Sequence, residues 1–342
     1  MGNDEVRNVR EKAGVKVSAP TIGTLAVIAV LSFVFWLLAP RYLSTNNIID
    51  IFRTVSVRFV VSLAMGVVIA SGGFDLSIGH VAGFSGLITA YMLVNLKLGI
   101  PESILGGVLV GTSLGCVNGV IVGWLGVSSF ITTLGMQMVI VGLRYWLTNG
   151  TTIMNLPKAF NWYGAGKVSV TSDIEIPVIV IIAFIILLIM LFVMHRTTLG
   201  RRIISVGQNL EASRLSGINP RIYTALALIL SGALCGIAGV LIVARNGLAN
   251  VDVGDKYLLE AMTMAVLAHV MFGKFKTHGV MLMTVFIIML TNGLTMLGVD
   301  PSFMDMIRGT MLIVVIVFGK LMQYLRNRRR TRAAPEIRPE GA

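Results

Sequence analysis

The chain has 342 residues, of which 55% are hydrophobic and only 13% charged, with a mean hydropathy of +0.84. A soluble domain carries about a quarter charged residues, so this composition excludes an ordinary water-soluble protein and points to a polytopic membrane protein. The formal net charge of +12 does not redirect the reading toward nucleic acid, because the basic residues bunch beside apolar runs instead of spreading over one face.

Residues 1–20 form a basic segment containing Arg7, Arg10, Lys12 and Lys16. The apolar run after it has no small-residue cleavage site, and so reads as a retained span and not a removed signal. At roughly 20 apolar residues per helical crossing, spans are expected at 22–39, 56–71, 78–96, 103–124, 128–147, 177–194, 222–244, 257–272, 279–298 and 303–322. Glycines or charges shorten the second, third and eighth. Residues 21–322 are thus expected to form an all-α membrane domain, a helical bundle of about ten transmembrane spans. Residues 323–342 form a basic tail. Basic clusters mark cytoplasmic segments, which puts both termini in the cytoplasm.

Between the second and third spans lies SGGFDLSIGH, Ser71 to His80, a carboxylate inside an otherwise apolar stretch. Gly72 and Gly73 weaken a helix, and Asp75 with Ser77 offers hydrogen-bonding alternatives to helical backbone. Ser71–Gly79 therefore reads as a break. Irregular backbone at such depth is tolerated where protein buries it or where it lines a water-filled route, and an ionisable group there is a functional candidate. Two readings stand side by side: Asp75 fixes a break close to a solute pathway, or it caps the next helix at the membrane surface.

In the fourth span Gly107, Gly111, Gly115, Gly119 and Gly123 recur every fourth residue and draw one stripe along a helix, which lets another helix approach closely. The stripe serves packing within one subunit or an interface between subunits. The stretch from Gly107 and that from Gly279 share Asn-Gly at 118–119 and 292–293, Leu-Gly-Val at 125–127 and 297–299, and Phe at 130 and 303. On the expected topology these copies run in opposite directions, as in an inverted-repeat transporter, although chance similarity of Gly-rich apolar runs gives the same signal.

The longest expected outer loop, 148–176, carries Trp162 and Tyr163, suited to a membrane interface. The connection 195–221, expected on the cytoplasmic side, is long and strongly basic. Within it Asn209–Gly217 reads as a short helix: Asn209 the N-cap, Glu211 in the first turn, Ala212, Arg214 and Leu215 on its surface, Gly217 closing it. It is either a docking helix for a partner or a solvated loop.

Cys116 and Cys235 lie inside apolar runs and read as packing residues, and the four histidines form no cluster, so no metal site is expected. Arg58, Arg144, Glu260, Asp305 and Arg308 fall near span ends, where snorkelling or pairing accommodates them; Asp305 and Arg308 are spaced to pair on one helix face. No G-x-x-x-x-G-K-[ST] loop and no nucleophile with its base is present.

SGGFDLSIG, NGVIVGWLGVSSFITTLG, GRRIISVGQNLEASRLSGI and LTNGLTMLGVDPSFMDMIRG, in that order, resemble the signature blocks of bacterial ABC-transporter permeases of the ribose and simple-sugar class, over about residues 42–322. That resemblance implies a permease subunit of an importer in the cytoplasmic (inner) membrane, carrying a monosaccharide or similar small polyhydroxylated solute. It further implies two ABC ATPase subunits that use ATP, a second permease as homo- or heterodimer, an extracytoplasmic solute-binding protein, surrounding lipid, and no cofactor bound by this chain. Residues 209–217 would be the coupling helix. One stretch departs from the family: LAHVMFGKFKTHGV, 267–280, has Ala268-His269 where a glycine pair is expected. An ion-coupled secondary transporter of the drug and metabolite type is the alternative.

Overall fold

The computed structural model describes residues 19–171, 174–300, 302–304, 306–311, 313–314 and 317. In chain order they form α1 (Ala19–Leu38), a 3-10 turn (Pro40–Leu43), α2 (Thr45–Ala70), α3 (Ile78–Val94), α4 (Ile100–Gly123), α5 (Ser129–Thr148) and α6 (Lys158–Ala165). A two-stranded antiparallel hairpin follows, β1 (Lys167–Thr171) and β2 (Ile174–Pro177). Then come α7 (Val178–Arg196), α8 (Thr198–Gln208), α9 (Leu210–Leu215), α10 (Pro220–Asn246), α11 (Tyr257–Phe272) and α12 (Thr277–Met296), with further helical residues from 302 to 317.

Among the described residues seven helices, α1, α2, α4, α5, α7, α10 and α12, are long and apolar enough to cross a bilayer. Two expected spans are shorter: α3 has 17 residues and α11 has 16. The second expected span is longer than its apolar core suggests, because Ser44 accepts from the Asn47 N–H and starts α2 well before residue 56. The tenth expected span, 303–322, and Asp305 lie largely or wholly outside the described residues. Helix ends follow local chemistry: Asn219 accepts from the Arg221 N–H at the start of α10, and Gly247 (φ 70°) and Gly273 (φ 67°) end α10 and α11 in the left-handed region.

α2 and α10 form the buried centre, whereas α1 lies at the periphery. They run antiparallel. Arg245, at the end of α10, donates from Nη2 to Thr54 Oγ1 at 3.0 Å near the start of α2. α4 packs along α10 through the glycine stripe: a Cβ at Gly111 would meet Gly236 Cα at 2.7 Å, one at Gly115 the Leu228 carbonyl at 2.7 Å, and one at Gly119 the Ala225 carbonyl at 2.9 Å. Gly107 lies against Ser85 and Thr89 of α3, and Gly123 against Arg221. The stripe's five positions thus all face helices of the same chain.

The two halves repeat one element order. α2, the break 71–77, α3 and α4 are followed later by α10, the segment 247–256, α11 and α12. The Asn-Gly pairs fall on α4 and α12, each the second helix after its break. Asn118 donates to Ser77 Oγ at 3.1 Å, and Asn292 and Asn47 exchange hydrogen bonds at 3.0 Å. Because α2 and α10 are antiparallel, the halves run in opposite directions.

The two ends of the bundle differ. One carries α8 and α9 and is basic. The other carries α6 and the hairpin, and there Ile153 and Ala249 form an isolated bridge.

Candidate functional site

The break lies at the basic end, between the last turn of α2 and the first of α3. Gly72 takes φ 86°, open to glycine at no cost, and reverses the chain. Gly72 and Phe74 reach the surface, while Ser71, Asp75 and Ser77 turn inward and are buried. The neighbouring α5 holds the outer part of the break: Phe74 N–H donates to Ser129 Oγ at 3.2 Å and Leu76 N–H to Thr133 Oγ1 at 2.9 Å.

Asp75 is 3% exposed. A carboxylate at that depth is costly unless donors surround it. Ser77 supplies two, its N–H at 2.9 Å and its hydroxyl at 2.6 Å, and Ser231 of α10 donates to Oδ2 at 3.4 Å. Ser77 occupies the N-cap position of α3, but its side chain makes no capping bond, since its hydroxyl serves Asp75 and accepts from Asn118. Asp75 sets the shape of the break from within the protein. It also accepts from the Ser77 N–H at the start of α3, as a capping group does, but from a buried position.

One turn further along α3, His80 enters a second buried group. Segment 247–256 turns back into the bundle from the hairpin end, so that Gly254 lies against Gly79 and Gly83; a Cβ at Gly83 would meet Gly254 N at 2.9 Å. The same region of α3 packs on Gly239, seven residues before the end of α10. The segment therefore descends about 10 Å at 1.5 Å per helical residue. This descent is why α11 is short. Asp255, carried inward by it, accepts from Arg144 Nη1 at 2.7 Å, and its Oδ1 lies 3.4 Å from His80 Nε2. A third group lies nearer the hairpin end: Glu260 is buried against Arg58, and Arg308 Nη1 lies 3.0 Å from its Oε1. Arg308 thus pairs with Glu260, while the expected partner Asp305 is outside the described residues.

These groups line up as a polar column through an apolar bundle: Asp75, Ser77, Asn118 and Ser231 toward the basic end, then His80, Asp255 and Arg144. Sequence reasoning singles out Asp75 and Ser77 but passes over Ser231, Asp255 and His80, and treats Arg144 only as a charge near a span end. Asn118 carried a signal, its place in the repeated Asn-Gly pair.

The connection 195–221 holds two helices, not one. In α8, Thr197 accepts from the Gly200 N–H at 3.3 Å, and Ile203 and Val206 are buried while Arg201 and Arg202 face outward. In α9, Asn209 accepts from the Ala212 N–H at 2.9 Å, Glu211 is in the first turn, and Gly217 follows at φ 77°. Asn209, Leu210, Glu211, Ala212, Arg214, Leu215 and Gly217 are exposed, Leu215 by 85%, and Ser213 is buried. At the end of α8, Gly207 presses on the break. A Cβ there would overlap the Ala70 carbonyl and meet Gly72 N at 2.8 Å. The exposed helix and the buried break are therefore in backbone contact through α8.

The family model for the permease component of branched-chain amino acid transport systems matches residues 47–316. The chain belongs to this permease family. The permease is 32% identical over 304 residues to the D-allose transport system permease protein of Escherichia coli K12, covering 88% of this chain and 91% of that one. It is 29% identical over 308 residues to the ribose import permease of the same strain, covering 88% and 93%. With the galactose/methyl galactoside import permease of Salmonella typhimurium LT2 it shares 28% over 315 residues, covering 87% and 94%. No solved structure matches it. The matched range holds the whole polar column, α8 and α9, and with the apolar helices it makes the permease a multi-pass membrane transport protein. Family membership sets aside the ion-coupled carrier.

Proposed function

We propose that this permease is the membrane subunit of an ATP-binding-cassette importer that carries a monosaccharide or similar small polyhydroxylated solute inward across the bacterial cytoplasmic membrane. In this reading the basic end and both termini are cytoplasmic. Two ATPase subunits hydrolyse ATP, which the permease itself does not bind, and an extracytoplasmic binding protein delivers the solute to a homo- or heterodimer of permeases. The names of the allose, ribose and galactose relatives support a sugar.

The observation that carries the reading is the contact of Gly207 with Ala70 and Gly72. An ATPase subunit gripping Leu210 and Leu215 would move α9; α8, joined to it at Asn209, would transmit that motion to the break. Asp75, tied to α10 through Ser231, would pass it to both halves of the repeat. A break held by a few hydrogen bonds between rigid helices is the kind of element that has two arrangements.

The test is purification from native membranes in mild detergent, followed by reconstitution with the binding protein. The expected result is one ATPase subunit per permease and ATP-driven accumulation of D-allose, D-ribose or D-galactose, not of leucine. Recovery of the permease without an ATPase, or accumulation of leucine alone, overturns the reading.

A further inference from the structure

Arg144 is wholly buried, and its guanidinium is only half used. Nη1 is committed to Asp255, but Nε and Nη2 meet no hydrogen-bond acceptor among the described residues, and Nδ1 of His80, on the other side of the same carboxylate, has no hydrogen-bond partner there either. Leaving buried donors unmade is expensive, more so on a charged group. The two idle nitrogens are not scattered: Nε and Nη2 form one edge of the planar guanidinium, with parallel N–H bonds, the edge that grips a pair of oxygens at once. Oxygen pairs of that shape are a carboxylate, a phosphate or two adjacent hydroxyls.

The surroundings choose among them. Asp255 already balances the charge of Arg144, the next acidic group along the column is Asp75, and neither Lys nor another Arg approaches Arg144 in the described ion pairs. An anion would meet a neutral pair with a carboxylate nearby, whereas a neutral diol accepts two hydrogen bonds and brings no charge. Arg144 and His80 stand where the inward-folded segment 247–256 meets α3, between the two halves of the repeat, with backbone pinched at Gly79, Gly83 and Gly254.

We propose that the Nε/Nη2 edge of Arg144, together with His80 Nδ1, is a solute subsite within the membrane that binds two adjacent hydroxyl groups of the carried monosaccharide. The inference rests on the reading of the permease as a sugar importer. It adds that selection is made inside the permease as well as by the binding protein.

The test compares ATP-driven uptake of the sugar carried in the purified, reconstituted complex with uptake of its 2-deoxy analogue, which lacks one hydroxyl of an adjacent pair, and likewise of the 3-deoxy analogue. The binding protein is identical throughout, so its own preference cancels when variants are compared. Arg144→Lys keeps a cation for Asp255 but has no two-pronged edge. His80→Gln keeps a polar group near Asp255 and removes Nδ1. In the wild type, at least one deoxy analogue is expected to be disfavoured about tenfold, the worth of one hydrogen bond to a charged group. Arg144→Lys is expected to erase most of that preference and His80→Gln part of it, with ATPase co-purification reporting assembly. Should Arg144→Lys fail to assemble, His80→Gln decides. A preference unchanged in the assembled variants, or one near unity in the wild type, overturns the subsite while leaving the importer intact. Failure of the wild type to carry any of the sugars overturns both.

Discussion

Asp75 shows how one carboxylate can be tolerated in an apolar bundle. It has no cationic partner among the described residues, and its burden is spread over Ser77 and Ser231. Removing the acceptor deprives three donors of it, the Ser77 N–H and hydroxyl and the Ser231 hydroxyl, and each buried donor left stranded costs about 1–3 kcal/mol. Asp75→Ala is therefore expected to lower the thermal midpoint of the purified permease by several degrees. Asp75→Asn keeps one oxygen for Ser77, and its amide can donate to the Ser231 hydroxyl, so its midpoint is expected to stay close to the wild type. Transport separates shape from charge: if the break needs only its hydrogen bonds, Asp75→Asn retains most uptake, and if the charge acts on the solute route, uptake falls although the midpoint does not. A Asp75→Ala midpoint equal to that of the wild type would mean that the break is held by its glycines and α5 contacts alone.

At the scale of elements, the tightest fit is α4 on α10, where glycine faces glycine. A side chain at Gly115 would collide with the Leu228 carbonyl and with Gly232. Gly115→Leu is expected to push the helices apart and cost about 3 kcal/mol or more, read as loss of monodisperse protein in detergent. Gly135→Leu, at a position where a Cβ meets nothing within 4 Å, is the matched control and is expected to behave as wild type. The four-residue glycine period makes this interface legible from sequence, because close approach needs small residues in a row on one face. So are the long apolar helices and the cap at Asn209. Other elements are not. α8 is 11 residues long and carries Arg201 and Arg202, too short and polar to announce itself as a span. Segment 247–256 contains Asn250, Asp252, Asp255 and Lys256 and reads as a surface loop, and only its contacts with Gly79 and Gly83 carry it inward. α9 offers a separate test. Leu215 touches little of its own chain, so Leu215→Arg is expected to leave insertion and the thermal midpoint unchanged while reducing ATPase co-purification at least fivefold. Full recovery of the ATPase would remove α9 from the docking surface.

On the scale of the whole molecule, the question is how a motion outside the bundle reaches its centre. Two antiparallel halves share one buried interface, α2 against α10, and each half contains one non-helical break. The breaks approach from opposite ends and meet on α3 between Asp75 and Gly83. Such an arrangement concentrates what can move into a short stretch, since intact helices resist bending and packed cores do not deform continuously. Among the described residues α8 meets that stretch in backbone contact at Gly207, against Ala70 and Gly72, where a side chain has no room. Gly207→Val is expected to displace α8 from the break without touching α9. The ATPase should then still co-purify and still hydrolyse ATP, while solute accumulation in proteoliposomes falls at least tenfold. That combination distinguishes a broken linkage from a broken docking surface, which Leu215→Arg addresses, and from a broken fold, which lowers yield. Accumulation at the wild-type rate in Gly207→Val would mean that force enters the bundle elsewhere, and the next place to look would be the start of α10, where Asn219 and Pro220 join α9 directly to the helix that carries Ser231.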